Sequence, residues 1–225
     1  MSVELRLALQ EQRSADVAER VRRLLGPFTG TEEALDAGCG TGSVAFALAP
    51  HVAEVVGVDT RAEYLDAARA SAPANVRFEE ADVMALPFGY AEFDLVCCLR
   101  VLHHVRRPEL AVSELARVAR PGGKIFIADQ LGSIDPLLSL EMDRFERLRD
   151  ATHQRLLPDA DIRGYLDAND LVLLSSEVTR EKVDLEERLT LAGLDEDERA
   201  RIRGSAPATP YEIEVGWYVS RKPAV

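Results

Sequence analysis

Between residues 33 and 130 the chain alternates short apolar runs with stretches of helical spacing. Glu33–Ala37, Glu54–Asp59, Val76–Glu80, Phe93–Leu99 and 123–129 are runs rich in Val, Ile, Leu, Phe and Ala, and they read as strands buried on both faces. Between them, 42–50, 61–70 and 108–119 read as helices; the last carries Leu110, Val112, Leu115 and Val118 at three- and four-residue intervals. Strands alternating with helices predict a parallel sheet covered on both sides, and right-handed crossovers make a doubly wound α/β sheet the default.

The flanks read differently. Residues 3–26 predict one helix, or two joined with Ser14 as an N-cap, since Val17, Val21, Leu24 and Leu25 recur at helical spacing before Gly26-Pro27. Residues 1–30 are therefore an N-terminal helical segment. After residue 130 the alternation breaks. Helices are expected at Pro136–Arg149 and at 158–168, where Asn169 can supply a left-handed stop. A strand follows at 171–178, then two acidic helices at 184–192 and 195–203. A last strand at 211–220 sets Ile213, Val215, Trp217 and Val219 against polar neighbours. One domain over 1–225 is expected, with the helices of 132–168 and 184–204 as a lid over a substrate pocket.

Composition narrows the partners. The 225 residues carry a formal net charge of −12, which disfavours nucleic acid and suits a small-molecule substrate. Three cysteines, Cys39, Cys97 and Cys98, form no CxxC pair and fit a reducing cytoplasm. The first residues have no apolar segment of signal-peptide length, and no apolar run approaches a membrane span. No HxxxH or carboxylate cluster suggests a metal, and nothing signals an oligomeric state.

The chemistry gathers where the strands end, which is where such sheets bind ligands. Gly38, Gly40 and Gly42 alternate directly after the first strand, ahead of a helix start whose free amides attract a polar or anionic group. The segment from Gly40 to Ala45 also fits GxGxxA, a dinucleotide fingerprint, so a nicotinamide oxidoreductase is one reading. Asp59 closes the second strand, 17 residues after Gly42, where an acid accepts hydrogen bonds from ribose hydroxyls. Asp82 and Asp129 follow the third and fifth strands. His103 and His104 follow the fourth; one can serve as a general base, or the pair can simply pack under the sheet edge and cap the next helix. Arg144 and His153 lie in an insertion with Arg147, Arg149 and Arg155, which can receive a substrate carboxylate or phosphate, or be an ordinary paired helix surface.

Asp36-Ala37-Gly38-Cys39-Gly40-Thr41-Gly42, Asp59, the segment Ala81-Asp82-Val83 leading to Leu86-Pro87-Phe88, and the turn Arg120-Pro121-Gly122-Gly123 together resemble the class I S-adenosylmethionine-dependent methyltransferases. Val101-Leu102-His103-His104-Val105 is similar to the small-molecule branch related to ubiquinone and menaquinone biosynthesis enzymes. The resemblance covers roughly residues 33–130. It implies S-adenosylmethionine as cofactor and a seven-stranded, mostly parallel sheet in order 3-2-1-4-5-7-6, with the last strand antiparallel. It also implies that Asp36, Ala37, Gly38, Cys39 and Gly40 meet the methionine end, that Asp59 and Thr60 meet the ribose, and that Asp82 and Val83 meet the adenine. Leu99 and Arg100 are then expected to face the reactive methyl group. The expected activity is methyl transfer to a small molecule; a pocket that binds the cofactor without transferring is the other alternative.

Overall fold

Each apolar run of the first half becomes a strand because its neighbours cover it on both faces. The computed structural model describes residues 3–191, 194–206 and 211–224. In chain order the elements are α1 (Val3–Leu25), β1 (Glu33–Ala37), α2 (Ser43–Leu48), β2 (Glu54–Asp59), α3 (Ala62–Arg69), β3 (Val76–Glu80), β4 (Phe93–Leu99), α4 (Pro108–Val118) and β5 (Ala119–Gln130). There follow α5 (Pro136–Arg149), α6 (Asp159–Asp167), β6 (Val172–Val183), α7 (Leu185–Leu191), α8 (Glu196–Ser205) and β7 (Tyr211–Arg221), and a single 3-10 turn spans Leu102–His104.

The seven strands form one sheet in order β3-β2-β1-β4-β5-β7-β6, as expected. The pairings from β3 to β5 are parallel, and β7 runs antiparallel to both its neighbours. One face is covered by α1, α2 and α3 through Val21, Leu25, Leu48 and Leu65, together with Phe145, Leu189 and Ile202 from later helices. The other face is covered by α4 and α6 through Val112, Leu115, Ile162 and Leu166.

Several boundaries differ from the sequence expectation for identifiable reasons. The N-terminal segment is one uninterrupted helix: Ser14 caps nothing, and its hydroxyl instead donates to the Glu11 carbonyl at 2.9 Å within the helix. The Pro-Gly-Gly turn is absorbed into β5, where Gly122 takes φ +82° and the register against β4 slips between Phe93 and Leu95. The left-handed residue after α6 is Asp170, at φ +55°, while the Asn169 amide donates to the Tyr165 carbonyl. The strand expected at 171–178 extends to Val183, because β7 pairs with it in unbroken antiparallel register from Ser175 to Val183. The last residue of the helix expected at 184–192, and residues 192–193 of the expected lid, lie outside the described residues, whereas the strand expected at 211–220 is observed as β7.

The C-terminal part is tied to the sheet by a buried hydroxyl. Tyr218 on β7, 1% exposed, donates to Asp159 Oδ1 at 2.6 Å at the start of α6, and Arg163 holds the other oxygen at 2.7 Å. Tyr218→Phe removes only that donor, and a loss of about 1–2 kcal/mol in urea unfolding is expected.

Candidate functional site

β1 stops where three glycines take over. Gly38, Gly40 and Gly42 hold φ of 77°, 55° and 94°, a region side-chain-bearing residues avoid. A Cβ on Gly38 would sit 2.3 Å from Val101 Cγ2, so the backbone of the loop lies directly against the segment after β4. The amides of Gly38 and Cys39 both donate to the Val58 carbonyl at 2.8 Å. Gly42 stands at the start of α2 with no side chain to cap it. Asp36 takes that role from within β1, accepting the Ala45 amide at 2.9 Å. Asp36 is 1% exposed, and burial pushes its carboxyl up to about 7; nearby Asp59 adds to the rise and the Ala45 amide opposes it. Cys39 is buried, and burial raises its thiol well above the ordinary range, so it is not a nucleophile.

Beside the loop lies a cavity of about 400 Å³ whose wall includes Gly38, Asp59, Thr60, Asp82, Val83 and His104. Asp59 accepts the Gly40 amide at 2.9 Å on one oxygen and the Arg61 amide at 3.0 Å on the other. It therefore ties the second strand to the glycine loop and still keeps lone pairs for a ligand. Asp82 is exposed and accepts the Met84 amide at 2.8 Å through one oxygen. Val83 is buried beside it.

The two histidines have different surroundings. His103 Nδ1 bonds the carboxylate of Asp129, and the His103 amide donates to the same group at 3.1 Å. Burial alone would push Asp129 up, but the His103 ring, Arg100 and the Gln130 amide outweigh it and hold the carboxylate below its ordinary range. An ionised Asp129 accepts only, so His103 donates to it from Nδ1; His103 is not part of the cavity wall that includes His104. His104 Nδ1 lies 3.0 Å from Thr152 Oγ1, whose proton goes to Asp150 at 2.7 Å, so His104 also donates from Nδ1. Burial, and then the neighbouring His103, press His104 down to about 4, which keeps it neutral.

The other expected site residues are placed as follows. Leu99 ends β4 and Arg100 follows it, and both line a second cavity together with Asp36, Gly38 and Cys39. Ala37 is fully buried beneath the loop. Arg144 is exposed on α5 and lines neither cavity. His153, 3% exposed, bonds Asp143 Oδ1 at 2.8 Å behind His103 and braces the loop after α5 rather than facing a cavity. Of the expected lid, only the loop at Asp150, Thr152 and Gln154 lines either of these two cavities. The second cavity is covered by α1, with one wall from β6. Sequence reasoning missed Asp129 as the partner of His103, although its position at the end of β5 was the available signal. It also missed the arginines of α1, which carry no local signal. Among the described residues no helix is long and apolar enough to cross a membrane.

Comparison with known proteins bears on this geometry. Residues 35–127 match a family model described as a methyltransferase domain. An uncharacterised methyltransferase, YcgJ, from Bacillus subtilis is 34% identical over 141 residues, covering 61% of this chain and 56% of that protein. A ubiquinone biosynthesis O-methyltransferase from Coxiella burnetii is 35% identical over 97 residues, covering 42% of each. The chain thus spans about half the length of these curated relatives. A solved structure from Bacillus halodurans, a candidate methyltransferase, superposes with a TM-score of 0.85 at 23% identity, covering 93% of this chain and all of that one, and shares the fold. These similarities favour the methyltransferase reading of the glycine string over the nicotinamide one.

The elevated Asp36 carboxyl has a consequence for stability. A carboxyl raised from 3.8 to about 7 on folding favours the native state fully below the lower value, and that contribution is lost as the pH climbs through the higher one. Relative to Asp36→Asn, the wild type is expected to lose about 2–3 kcal/mol of unfolding free energy between pH 5 and pH 8. Chemical denaturation of both proteins at the two pH values measures this.

Proposed function

We propose that this chain, which carries a methyltransferase domain of the class I S-adenosylmethionine-dependent superfamily, transfers a methyl group from S-adenosylmethionine to a small-molecule acceptor. The observation that carries the reading is the convergence of Asp59, Asp82 and the glycine loop on one cavity. The residues fit the cofactor. Asp59 keeps acceptor lone pairs for two ribose hydroxyls while its own amide partners fix its position. The uncommitted oxygen of Asp82 suits an adenine amino group, and buried Val83 supplies an apolar wall for the ring. At Gly38, Gly40 and Gly42 the loop has no Cβ atom, so its backbone can approach an amino-acid group closely. Asp36, in the wall shared with Gly38 and Leu99, offers a carboxylate to a ligand bearing positive charge.

When bound, S-adenosylmethionine supplies an electrophilic methyl group on a sulfonium. The protein orients the acceptor and takes the proton that its hydroxyl or amine loses as the methyl bond forms. His103 is the base. Its Nδ1 is held by Asp129, a carboxylate that orients the ring and would stabilise the imidazolium. His104, neutral and tethered to Thr152, forms part of the cavity wall.

Titration calorimetry with S-adenosylhomocysteine should show binding to the wild type and an affinity at least about tenfold lower for Asp59→Ala. With a working acceptor and tritiated cofactor, His103→Ala should lower kcat by about 10²–10⁴-fold with cofactor affinity unchanged, and Asp129→Asn should share much of that loss. Cofactor binding with no transfer to any acceptor would instead leave a binding module.

A further inference from the structure

The cavity under α1 holds more positive charge than its carboxylates balance. It encloses about 240 Å³; Arg20 and Arg180 in its wall are paired with Asp16 and Glu214, which leaves Arg6, Arg13 and Arg100 against Asp36 and Glu181, with Leu9, Val44 and Trp217 as apolar surface. Arg100 donates to Glu181 Oε1 at 2.6 Å, and Arg13 Nη2 lies 3.9 Å from Glu181 Oε2. Arg6 lies across the glycine loop, where a Cβ on Gly40 would come within 2.8 Å of its Nη2, and it forms no hydrogen bond or ion pair with any described residue. Burial first, then the nearby Arg100 and Arg188, disfavour the charge on Arg13 and lower its guanidinium to about 9. Arg13 and Arg100 thus share Glu181, while Arg6 acts on buried Asp36 in the same wall. Arg100 also holds φ +59°, kept there by its amide on the Ala128 carbonyl at 2.7 Å and by its clamp on Glu181. That backbone conformation is uncommon for a residue other than glycine, and here it holds the Arg100 side chain in the cavity wall.

We infer that the methyl acceptor is an anion, bearing a carboxylate or a phosphate, and that Arg13 and Arg100 receive that group while Leu9, Val44 and Trp217 pack against its apolar part. The inference rests on the methyltransferase reading. S-adenosylmethionine carries one carboxylate against an ammonium and a sulfonium, so its binding adds positive charge to the cavity instead of cancelling it. Even if the cofactor's carboxylate takes Arg6, Arg13 and Arg100 still have only Glu181 between them. Guanidinium groups match carboxylate and phosphate oxygens in a planar fork, which gives orientation as well as affinity. Arg144 and His153, where the sequence suggests an anion site, line neither cavity.

Trp217 is the only tryptophan of the chain and lines this cavity, so its fluorescence reports occupancy. Three probes of similar shape are titrated into the full chain saturated with S-adenosylhomocysteine: benzoate, phenyl phosphate and neutral benzamide. At least one anion should change the emission saturably with a Kd about tenfold or more below that of benzamide. Benzoate ahead of phenyl phosphate assigns a carboxylate, and the reverse order assigns a phosphate. Arg13→Gln should abolish the preference, and Arg13→Lys should keep part of it, with S-adenosylhomocysteine affinity unchanged in both. Failure to bind S-adenosylhomocysteine in calorimetry overturns the methyltransferase reading, and the acceptor assignment falls with it. Normal cofactor binding with no advantage for either anion, or an advantage that survives Arg13→Gln, overturns the acceptor assignment alone.

Discussion

The hydrogen bond from the Ala45 amide to the buried Asp36 carboxylate fixes where α2 begins relative to the end of β1. That junction sets the course of the glycine loop, because Gly42 offers α2 no cap of its own. The Val58 carbonyl, which accepts two loop amides, and Asp59, which accepts a third, then bind the loop to the end of β2. Two adjacent parallel strands thus define one rigid rim. The positive φ of Gly38 brings this rim against Val101, and so to the end of β4. A carboxyl buried in this way is a cost to stability near neutral pH, and it is kept at the point where the chain must present backbone to a ligand.

The two edges of the sheet treat charge in opposite ways. At the N-terminal edge Arg120 is matched by Asp94 at 2.6 Å and Glu33 at 2.5 Å, so the charges there close on themselves. At the C-terminal edge acids accumulate on the side of β2 and β3, while arginines accumulate under α1 beside β4 and β6. The two cavities share Arg6, Gly38 and Arg100, so they form a continuous rim with a hydroxyl-accepting end and a cationic end. One end is suited to a nucleoside and the other to an anion, and His104 after β4 lines the first of them.

The fold was legible because each strand and helix between 33 and 130 carries its own periodicity, and parallel topology constrains what joins them. Asp59 and Asp82 were legible for the same reason: each follows a strand, and a strand's end defines its place. The His103–Asp129 pair joins residues 26 positions apart and depends on β4 and β5 lying in register, Leu99 beside Ala128. His153 was misplaced because its partner, Asp143, lies a turn and a loop earlier and draws the ring inward. Arg6 and Arg13 occupy what reads as the polar face of an amphipathic helix. Only the extension of β6 as far as Glu181 turns that face into a cavity wall. Long-range packing, not local preference, decides such positions.

The most direct test of this account is a crystal structure of the full chain with S-adenosylhomocysteine. It should place both ribose hydroxyls within about 2.6–3.2 Å of the Asp59 carboxylate, with the adenine beside Asp82 and Val83 and the amino-acid end on the glycine loop. A ligand seated elsewhere, or with its ribose away from Asp59, would contradict it.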